Sequence, residues 1–289
     1  MFFDTHCHLN FQVFAGRVEE VIAEAKKAGV SHIVVPGTDI ETSKKAVEIA
    51  EKYDGVYAAV GIHPHHVYQI NQKRSAESEK IRNQKNSDRS DISDYSGLSE
   101  IEKLLISNKV VAVGEVGLDK HEYKKTVYNV HKVYKVHKEF IELQKEFFVE
   151  QIKLAHKYKK ALIIHNREAK KEILEILTHH SSLITYHSVF HCCEPDEKLL
   201  EFAKKHKMFI GIDGDINYRK DKQEFIKKIP LELLVLETDS PYLSPERKFP
   251  NEPKNIKIIA EFIAKLKNTS IKRLIKVTTK NARKLFFNN

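Results

Sequence analysis

Two histidines at the end of the first apolar run have the spacing of a metal-chelating pair. The run leads into Asp4-Thr5-His6-Cys7-His8. Side chains of an extended chain alternate between two faces, so His6 and His8 should project to the same side. Cys7 should project to the opposite side and pack as a small core residue. On its own this spacing is a weak signal, because such pairs also occur in turns and on surfaces.

Acidic and imidazole side chains also follow four other apolar runs. These runs end in Gly114-Glu115-Val116-Gly117-Leu118-Asp119, in His165-Asn166-Arg167, in His191-Cys192-Cys193 and in Glu237-Thr238-Asp239-Ser240-Pro241-Tyr242. A charged group in such a place is costly unless it is paired or metal-bound, and its repetition at five runs is hard to attribute to chance. We therefore predict a site for two cations, with Glu115 as the bridging carboxylate. Its predicted ligands are His6, His8, Glu115, His165, His191 and Asp239.

The apolar runs themselves predict eight strands separated by amphipathic helices. The predicted strands are Phe2–His6, His32–Pro36, Val56–Ile62, Val110–Glu115, Ala161–His165, Leu183–Phe190, Met208–Ile212 and Leu233–Glu237. Helices are predicted at Val18–Ala28, Thr42–Lys52, Ile101–Ser107, Leu143–Tyr158, Lys170–Thr178, Asp196–Lys205, Phe225–Lys228, Asn255–Leu266 and Ser270–Phe286. This alternation is typical of an α/β fold, a single (β/α)8 TIM barrel over residues 1–289 with an extra C-terminal helix. A doubly wound open sheet is the alternative, and the lack of a Gly-rich first turn favours the barrel.

Two polar segments interrupt the alternation on the expected loop side of the barrel. Tyr68–Gly97 is rich in Asn, Gln, Ser, Lys and Asp, and we expect a flexible insertion there. Lys120–Lys138 holds six lysines against one glutamate and is a basic insertion. Both follow strand ends on the face where barrel enzymes carry their loops. The basic insertion could guide nucleic acid to the site or be an ordinary solvated surface.

The overall composition indicates a globular protein from a reducing compartment. Hydrophobic residues make up 41% of the chain and the net charge is +9. No apolar run is long enough to span a membrane, and Met1-Phe2-Phe3 reaches Asp4 without the features of a secretory signal. Three cysteines, two of them adjacent, exclude a disulfide scaffold. We expect a cytoplasmic protein, with the nucleus as the alternative, that is monomeric, has no protein partner and does not associate with membranes.

The motifs together resemble the TatD family of metal-dependent deoxyribonucleases, within the amidohydrolase-like barrels. Two departures from the family pattern concern substrate preference: Lys120 stands where the family usually has Tyr, and the loop Arg247–Asn251 is short. The matching segments follow the family's order over essentially the whole chain. They are Asp4-Thr5-His6-Cys7-His8-Leu9, Gly61-Ile62-His63-Pro64-His65, Gly114-Glu115-Val116-Gly117-Leu118-Asp119, His165-Asn166-Arg167-Glu168-Ala169, His191-Cys192, Glu237-Thr238-Asp239-Ser240-Pro241-Tyr242-Leu243, Asn251-Glu252-Pro253 and Asn281-Ala282-Arg283-Lys284-Leu285-Phe286.

The resemblance implies a divalent-metal nuclease that hydrolyses DNA phosphodiester bonds at ends or in single strands. The six ligands named above match the family's ligand positions. The resemblance then implies Asp239 and Glu115 as the catalytic residues, and Asp239 is the candidate to accept a proton from the attacking water. Two cations are expected: imidazole ligands favour Zn²⁺ or Mn²⁺, but the resemblance implies Mg²⁺, so the identity of the ion stays open. His63, His65 and Arg167 are candidate substrate contacts, although Arg167 could instead pair with a carboxylate and brace the site.

Other functions compatible with these residues differ mainly in the bond that is cleaved. An amidohydrolase or a deacylase would use the same metal chemistry on another ester or amide bond, and fold alone does not separate these enzymes. A nucleic-acid-binding protein without turnover is a third possibility, but it would not need all six ligands. A nucleophilic Cys192 or Cys193 is disfavoured, because no base partner is apparent beside them.

Overall fold

Eight parallel strands form the centre of the molecule. The computed structural model describes residues 1–67, 96–121, 138–184 and 187–287. Within these residues the strands are hydrogen-bonded in chain order, each to the next. They are β1 (Phe2–Asp4), β2 (Val30–Pro36), β3 (Val56–Val60), β4 (Val110–Asp119), β5 (Ala161–Arg167), β6 (Ser188–Phe190), β7 (Phe209–Ile212) and β8 (Leu234–Leu236).

The first and last strands meet and bring the sheet close to a closed barrel. The amide of Thr5 donates to the carbonyl of Leu236 at 3.0 Å, and the amide of Asp239 donates to the carbonyl of His6 at 2.9 Å. The amide of His8 continues this ladder with a 2.7 Å hydrogen bond to the carbonyl of Ser240. The predicted barrel is confirmed, and its closing seam lies beside the predicted metal ligands.

Helices connect successive strands and cover the outside of the sheet. In the described residues they are α1 (Val18–Lys27), α2 (Ile40–Lys52), α3 (Ser96–Leu104), α4 (Lys138–Tyr158), α5 (Lys170–His179), α6 (Glu197–His206), α7 (Lys220–Lys228), α8 (Ile256–Leu266) and α9 (Ile271–Phe287). The side chain of Asp39 accepts from the amide of Thr42 at 2.8 Å, which fixes the start of α2 because it satisfies an otherwise unpaired helix donor. None of the described helices has the length and apolar composition needed to cross a membrane.

The C-terminal helix closes one end of the barrel. Buried side chains of α9, including Leu285 and Phe286, pack with the inner cluster of the barrel, which contains Phe3 and Phe209. The ring of Phe3 lies 5.8 Å from that of Phe286. Phe3 precedes His6 and His8 in the chain. The helix α9 therefore lies at the end of the barrel opposite to the predicted site. The extra terminal helix predicted from the sequence is therefore confirmed.

Several predicted boundaries differ from the observed ones. β4 continues to Asp119 instead of ending at Glu115, because it pairs with β5 as far as Arg167. β6 begins at Ser188 and not at Leu183, since Ser181–Leu183 form a 3-10 turn. The helices predicted at Ile101–Ser107 and Phe225–Lys228 begin earlier, at Ser96 and Lys220.

The two predicted insertions lie almost wholly outside the described residues. Of Tyr68–Gly97 only the last two residues are described, within α3. Of Lys120–Lys138 only Lys120, His121 and Lys138 are described. Lys120 pairs with Glu172 at 2.9 Å, so this lysine ties the end of β4 to α5.

Candidate metal centre

The histidine pair after β1 converges on one point. Nε2 of His6 lies 3.1 Å from Nε2 of His8, so both imidazoles present a nitrogen to the same space. Between them Cys7 is buried and forms an isolated bridge with Ser240. The predicted alternation is thus confirmed, although β1 itself ends at Asp4. The hydrogen bonds of the barrel seam hold this segment extended.

A register shift in β4 turns Glu115 into the barrel. Val113 pairs with Leu162, whereas Val116 pairs with Ile164, so β4 has one residue more than β5 in this stretch. Ala112 belongs to the inner cluster of the barrel before the shift. Because an extra residue exchanges the two faces of a strand, the odd-numbered Glu115 and Asp119 point inward after the shift.

The two oxygens of Glu115 face two different groups of histidines. Oε2 lies 3.6 Å from Nε2 of His6 and 3.8 Å from Nε2 of His8. Oε1 lies 2.7 Å from Nδ1 of His165, 2.9 Å from Nε2 of His191 and 3.5 Å from Nε2 of His63. Glu115 is therefore the residue that joins the two groups.

Asp239 completes the group around His6 and His8. Its Oδ1 lies 3.7 Å from Nε2 of His6 and 3.6 Å from Nε2 of His8. The residue adopts a left-handed backbone conformation with φ of 50°, which aspartate tolerates better than most residues do. The preceding Thr238 is held by Asp4, which accepts from its amide at 3.0 Å and from its hydroxyl at 2.7 Å.

Two of the histidines have an oxygen acceptor within hydrogen-bond distance of their other ring nitrogen, and a third, His191, has a carboxylate just beyond that distance. Nε2 of His165 lies 3.0 Å from Oδ2 of Asp119, and Nδ1 of His8 lies 3.2 Å from the carbonyl oxygen of Pro36. Nδ1 of His191 lies 3.6 Å from Oε1 of Glu237. Such partners orient metal-binding imidazoles and raise the basicity of the ligating nitrogen.

Glycine makes room for one of these partners. A Cβ atom at Gly211 would lie only 2.4 Å from Oε2 of Glu237. Glu237 is fully buried, and its Oε1 also accepts from the amide of Cys192. The glycine in β7 therefore lets the carboxylate of Glu237 reach the space next to His191.

Burial and hydrogen bonds to carboxylates shift the pKa values of these histidines in opposite directions. It lowers the pKa of His6 to about 4 and the pKa of His8 to about 3. At His165 burial also disfavours the cation, but hydrogen bonds to Asp119 and Glu115 outweigh it and raise the pKa to about 9. At Asp239 burial raises the pKa well above the usual value, since removal from water disfavours the carboxylate.

The donors fit divalent cations in number, type and spacing. Three groups among the described residues could hold a metal ion, and each contains Glu115 or His6: His6, His8 and Glu115; His6, His191 and Glu237; and His63, Glu115 and His165. Adjacent ligands around an ion at roughly 2.0–2.2 Å lie roughly 3.0–3.5 Å apart, close to the separations found between these donors. In addition, Nδ1 of His6 is buried without a hydrogen-bond partner in the described residues, so Nε2 is its only engaged nitrogen.

The predicted substrate contacts lie at different depths. His63 is buried against Glu115, and Nε2 of His65 lies 2.9 Å from Oδ2 of Asp119. Arg167 is the last residue of β5 and is exposed. The structure thus places His63 with the candidate metal ligands, although it was predicted as a substrate contact only.

Asp119 and Glu237 were missed as site residues by the sequence interpretation. Both stand in motifs from which the site was predicted. The signal was their spacing from predicted ligands: Glu237 lies two residues before Asp239, and Asp119 lies four residues after Glu115. For Asp119 the inward position became visible only with the extension of β4 beyond Glu115.

A buried ion-pair cluster lies beside the centre, at the end of β7. Nζ of Lys222 is 3.1 Å from Oδ2 of Asp213 and 2.8 Å from Oδ1 of Asp215. It also lies 4.0 Å from Sγ of Cys192. Burial raises the pKa of the Cys192 thiol well above its ordinary value, and the expectation that this cysteine is not a nucleophile stays a prediction.

An α/β barrel with imidazole and carboxylate donors gathered at its strand ends is the arrangement of the metal-dependent hydrolases. The chain belongs to the TatD related DNase family, whose model matches residues 3–287. It is 33% identical to the uncharacterized metal-dependent hydrolase YabD of Bacillus subtilis, with 99% of each chain covered. It is 30% identical to the human deoxyribonuclease TATDN3, with 98% of this chain and 93% of the relative covered.

The fold agrees with a solved structure of the same family. The crystal structure of the TatD homologue YjjV from Escherichia coli K12 superposes with a TM-score of 0.79 at 28% sequence identity. The match covers 99% of this chain and 97% of that one. The resemblance noted from the sequence motifs is therefore confirmed, and the protein is a metal-dependent hydrolase.

Proposed function

We propose that the protein is a deoxyribonuclease that hydrolyses DNA phosphodiester bonds with the help of two divalent cations. The observation that carries this proposal is the position of Glu115, whose two oxygens face separate groups of histidines. The name of the human relative, deoxyribonuclease TATDN3, supports DNA as the substrate. Bound cations would activate a water molecule and stabilise the charge that develops on the phosphoryl group.

Each side chain of the centre has a distinct part in this proposal. His6, His8 and Asp239 would hold one cation, His165 and His191 would hold the other, and Glu115 would bridge them. Asp119 orients His165 by hydrogen bonding to Nε2, and Glu237 lies beside Nδ1 of His191. The cations would be Zn²⁺ or Mn²⁺, which the imidazole ligands favour, or Mg²⁺, which suits the carboxylates.

Asp239 is the proposed acceptor of the proton from the attacking water. Its side chain is 12% exposed, whereas that of His6 is fully buried and that of Glu115 is 5% exposed. It is therefore better placed than these two residues to meet the substrate. In the metal-free protein burial raises the pKa of its carboxyl group well above the usual value, so this group holds a proton more strongly than an exposed aspartate does.

We further propose that cleavage starts from strand ends. The donors of the centre are buried at the strand ends of the barrel, so a free, unpaired end would reach them more readily than the interior of a duplex would. His63, His65 and the exposed Arg167 would then contact the phosphates near the scissile bond.

The test is digestion of labelled DNA by protein that has been stripped of metal and reloaded. Linear single-stranded and double-stranded DNA, labelled at the 5′ or the 3′ end, is compared with circular single-stranded DNA in the presence of Mg²⁺, Mn²⁺ or Zn²⁺. We expect metal-dependent release of nucleotides from linear strands and little cleavage of circles. Glu115→Gln and Asp239→Asn should remove the activity, whereas Glu201→Gln, on the exposed face of α6, should retain it.

The main competing function is hydrolysis of another ester or of an amide bond by the same centre. The same preparations are therefore assayed on carboxyl ester and amide substrates. Hydrolysis of these with no cleavage of DNA under any metal would contradict the proposed nuclease function. Cleavage of circles as fast as of linear strands would contradict only the preference for ends.

A further inference from the structure

A row of aromatic rings leads from the metal centre to the surface of the barrel mouth. The ring of Phe11 is stacked on that of His8, with centroids 4.2 Å apart and planes 14° apart. Tyr242 follows at 6.3 Å from Phe11, and Phe249 follows at 6.3 Å from Tyr242. The row thus starts at a candidate metal ligand and runs outward. Phe11 follows β1 in the chain, and Tyr242 and Phe249 follow β8.

The two outer rings of this row are unusually exposed. Tyr242 is 50% exposed and Phe249 is 68% exposed. The other large apolar side chains with high exposure in the described residues, among them Ile106 and Ile271, lie outside the groove formed here. Two neighbouring exposed aromatic rings at the mouth of an active site indicate a binding surface, whereas singly scattered apolar residues need no explanation.

These rings form one wall of an open groove of about 680 Å³. The opposite wall is α2, which contributes Glu41, Lys44, Lys45 and Glu48. Two acids and two bases give this wall no net charge, and Lys44 lies 3.7 Å from Glu100 and 4.0 Å from Glu41. The groove therefore offers flat apolar faces and little net electrostatic attraction.

We propose that this groove binds the bases of an unpaired nucleotide strand whose scissile phosphodiester lies at the metal centre. The inference rests on the proposed nuclease function and assigns its base-binding subsite to Tyr242 and Phe249. Every nucleobase has a π face, so aromatic side chains stack on unpaired bases without selecting a sequence. The contact between Phe11 and His8 makes the groove continuous with the site of the reaction.

This subsite also explains how a neutral groove could hold a polyanion. Phosphates remain on the solvent side, where the protein is basic overall, while the bases turn toward the rings. Affinity from stacking depends weakly on salt, whereas affinity from phosphate contacts falls as salt rises. Loss of a ring should therefore weaken binding by a similar factor at low and at high salt.

The first experiment measures binding without turnover. A fluorescein-labelled single-stranded oligonucleotide is titrated with wild-type protein and with Phe249→Leu and Tyr242→Leu in the presence of a chelator, and anisotropy is recorded at two salt concentrations. We expect Kd to increase about fivefold or more for each variant at both salts. Phe249→Tyr should bind like the wild type because it keeps the ring, and Ile106→Ala is the control for an exposed apolar residue elsewhere.

The second experiment removes the bases instead of the rings. An oligonucleotide with abasic positions next to its end should bind wild-type protein as weakly as the normal oligonucleotide binds Phe249→Leu. For the Phe249→Leu protein, the Kd for the abasic oligonucleotide should be close to its Kd for the normal one. Equal binding of normal and abasic strands by the wild type would overturn the inference, and so would unchanged Kd values in both ring variants. Tighter binding of an aromatic peptide than of the oligonucleotide, lost in the same variants, would assign the groove to a protein partner and also overturn it.

Hydrolysis of bis(p-nitrophenyl) phosphate separates this inference from the proposed function. The metal-loaded ring variants should retain kcat for this small diester, since the metal ligands are unchanged, while KM for the oligonucleotide rises. If wild-type protein binds strands through the rings but cleaves no phosphodiester, the nuclease function fails and the subsite stands. If it cleaves DNA and the ring variants keep the wild-type KM, the subsite fails and the nuclease function stands.

Discussion

Nε2 of His165 lies 3.0 Å from Oδ2 of Asp119, across the pairing of β5 with the extended end of β4. This contact leaves Nδ1 of His165 directed at Glu115, 2.7 Å away. A carboxylate on one nitrogen of an imidazole fixes both the tautomer and the orientation of the ring. Asp119 therefore determines how His165 presents itself to a cation without having to contact the cation.

Asp119→Asn should weaken metal binding while the fold is retained. An amide in this place can still accept a hydrogen bond but no longer raises the basicity of His165, so we expect metal affinity to fall about 10- to 100-fold. Metal titration followed by circular dichroism and elemental analysis measures both effects. Asp54→Asn, the same change at an exposed position, is the control. Equal affinity in the Asp119→Asn and Asp54→Asn proteins would show that Asp119 does not position the ligand.

Metal binding should release protons at neutral pH. In the metal-free protein the pKa of His165 is raised to about 9, because Asp119 and Glu115 outweigh the effect of burial, so this imidazole is charged at pH 7 and must lose a proton to a cation. His6 and His8 release none, since burial lowers their pKa values to about 4 and about 3. Titration calorimetry in buffers of different ionisation enthalpy counts the protons. We expect His165→Asn to release about one proton fewer, and an unchanged count would contradict this account.

The same shift gives the stability of the metal-free protein a definite pH dependence. A folded-state pKa raised from 6.5 to about 9 stabilises the fold fully below pH 6.5, and this contribution is lost as the pH rises through 9. The denaturation midpoint of metal-free wild type should therefore fall between pH 6.5 and 9 by more than that of His165→Asn. Parallel curves for the two proteins would contradict the assignment.

Gly211→Ala should disturb the centre through Glu237. The new methyl group would meet the carboxylate at 2.4 Å, so Glu237 must move away from His191. We expect a clear loss of bound metal and of hydrolysis. Gly16→Ala is the control: it meets no atom within 4 Å, but its φ of 77° should cost about 1–2 kcal/mol of stability. Metal binding like that of the control would exclude a role of Gly211 in placing Glu237.

Lys222→Met should destabilise the protein strongly. It would leave the buried carboxylate of Asp213 without its cation, at a cost of about 3–5 kcal/mol in unfolding free energy, whereas Asp215 would keep the guanidinium of Arg219 at 3.6 Å. Chemical denaturation measures the difference. Lys27→Met is the matched control, since the exposed pair of Lys27 with Glu24 should contribute little. Similar losses in the two variants would mean that the buried cluster is not more important than a surface pair.

Much of the fold could be predicted from the sequence because strands buried on both faces are recorded as continuous apolar runs. Val56–Val60 and Leu234–Leu236 are such runs, and their order along the chain gave the barrel. The start of β6 was less visible, since Leu183 is apolar but belongs to a 3-10 turn outside the sheet. A run of apolar residues does not show which of them are paired.

The site was predictable where the donor and its strand end are adjacent in sequence, as at His6 and His8. It was less so where the side chain's direction depends on another strand. Asp119 belongs to the site only because β4 continues past Glu115 in its pairing with β5, and the proximity of Glu237 to His191 depends on the open space at Gly211. Both effects depend on contacts between strands that are distant in the sequence, so a local sequence motif does not predict them.

The most direct test of the account is to titrate metal-free protein with Mn²⁺ while nucleotide release from end-labelled single-stranded DNA is followed. Two cations joined by Glu115 predict that activity rises until two equivalents of Mn²⁺ are bound per chain. Glu115→Gln should bind less metal and remain inactive throughout. Full activity at one equivalent, or equal activity in the presence of a chelator, would contradict the two-cation centre.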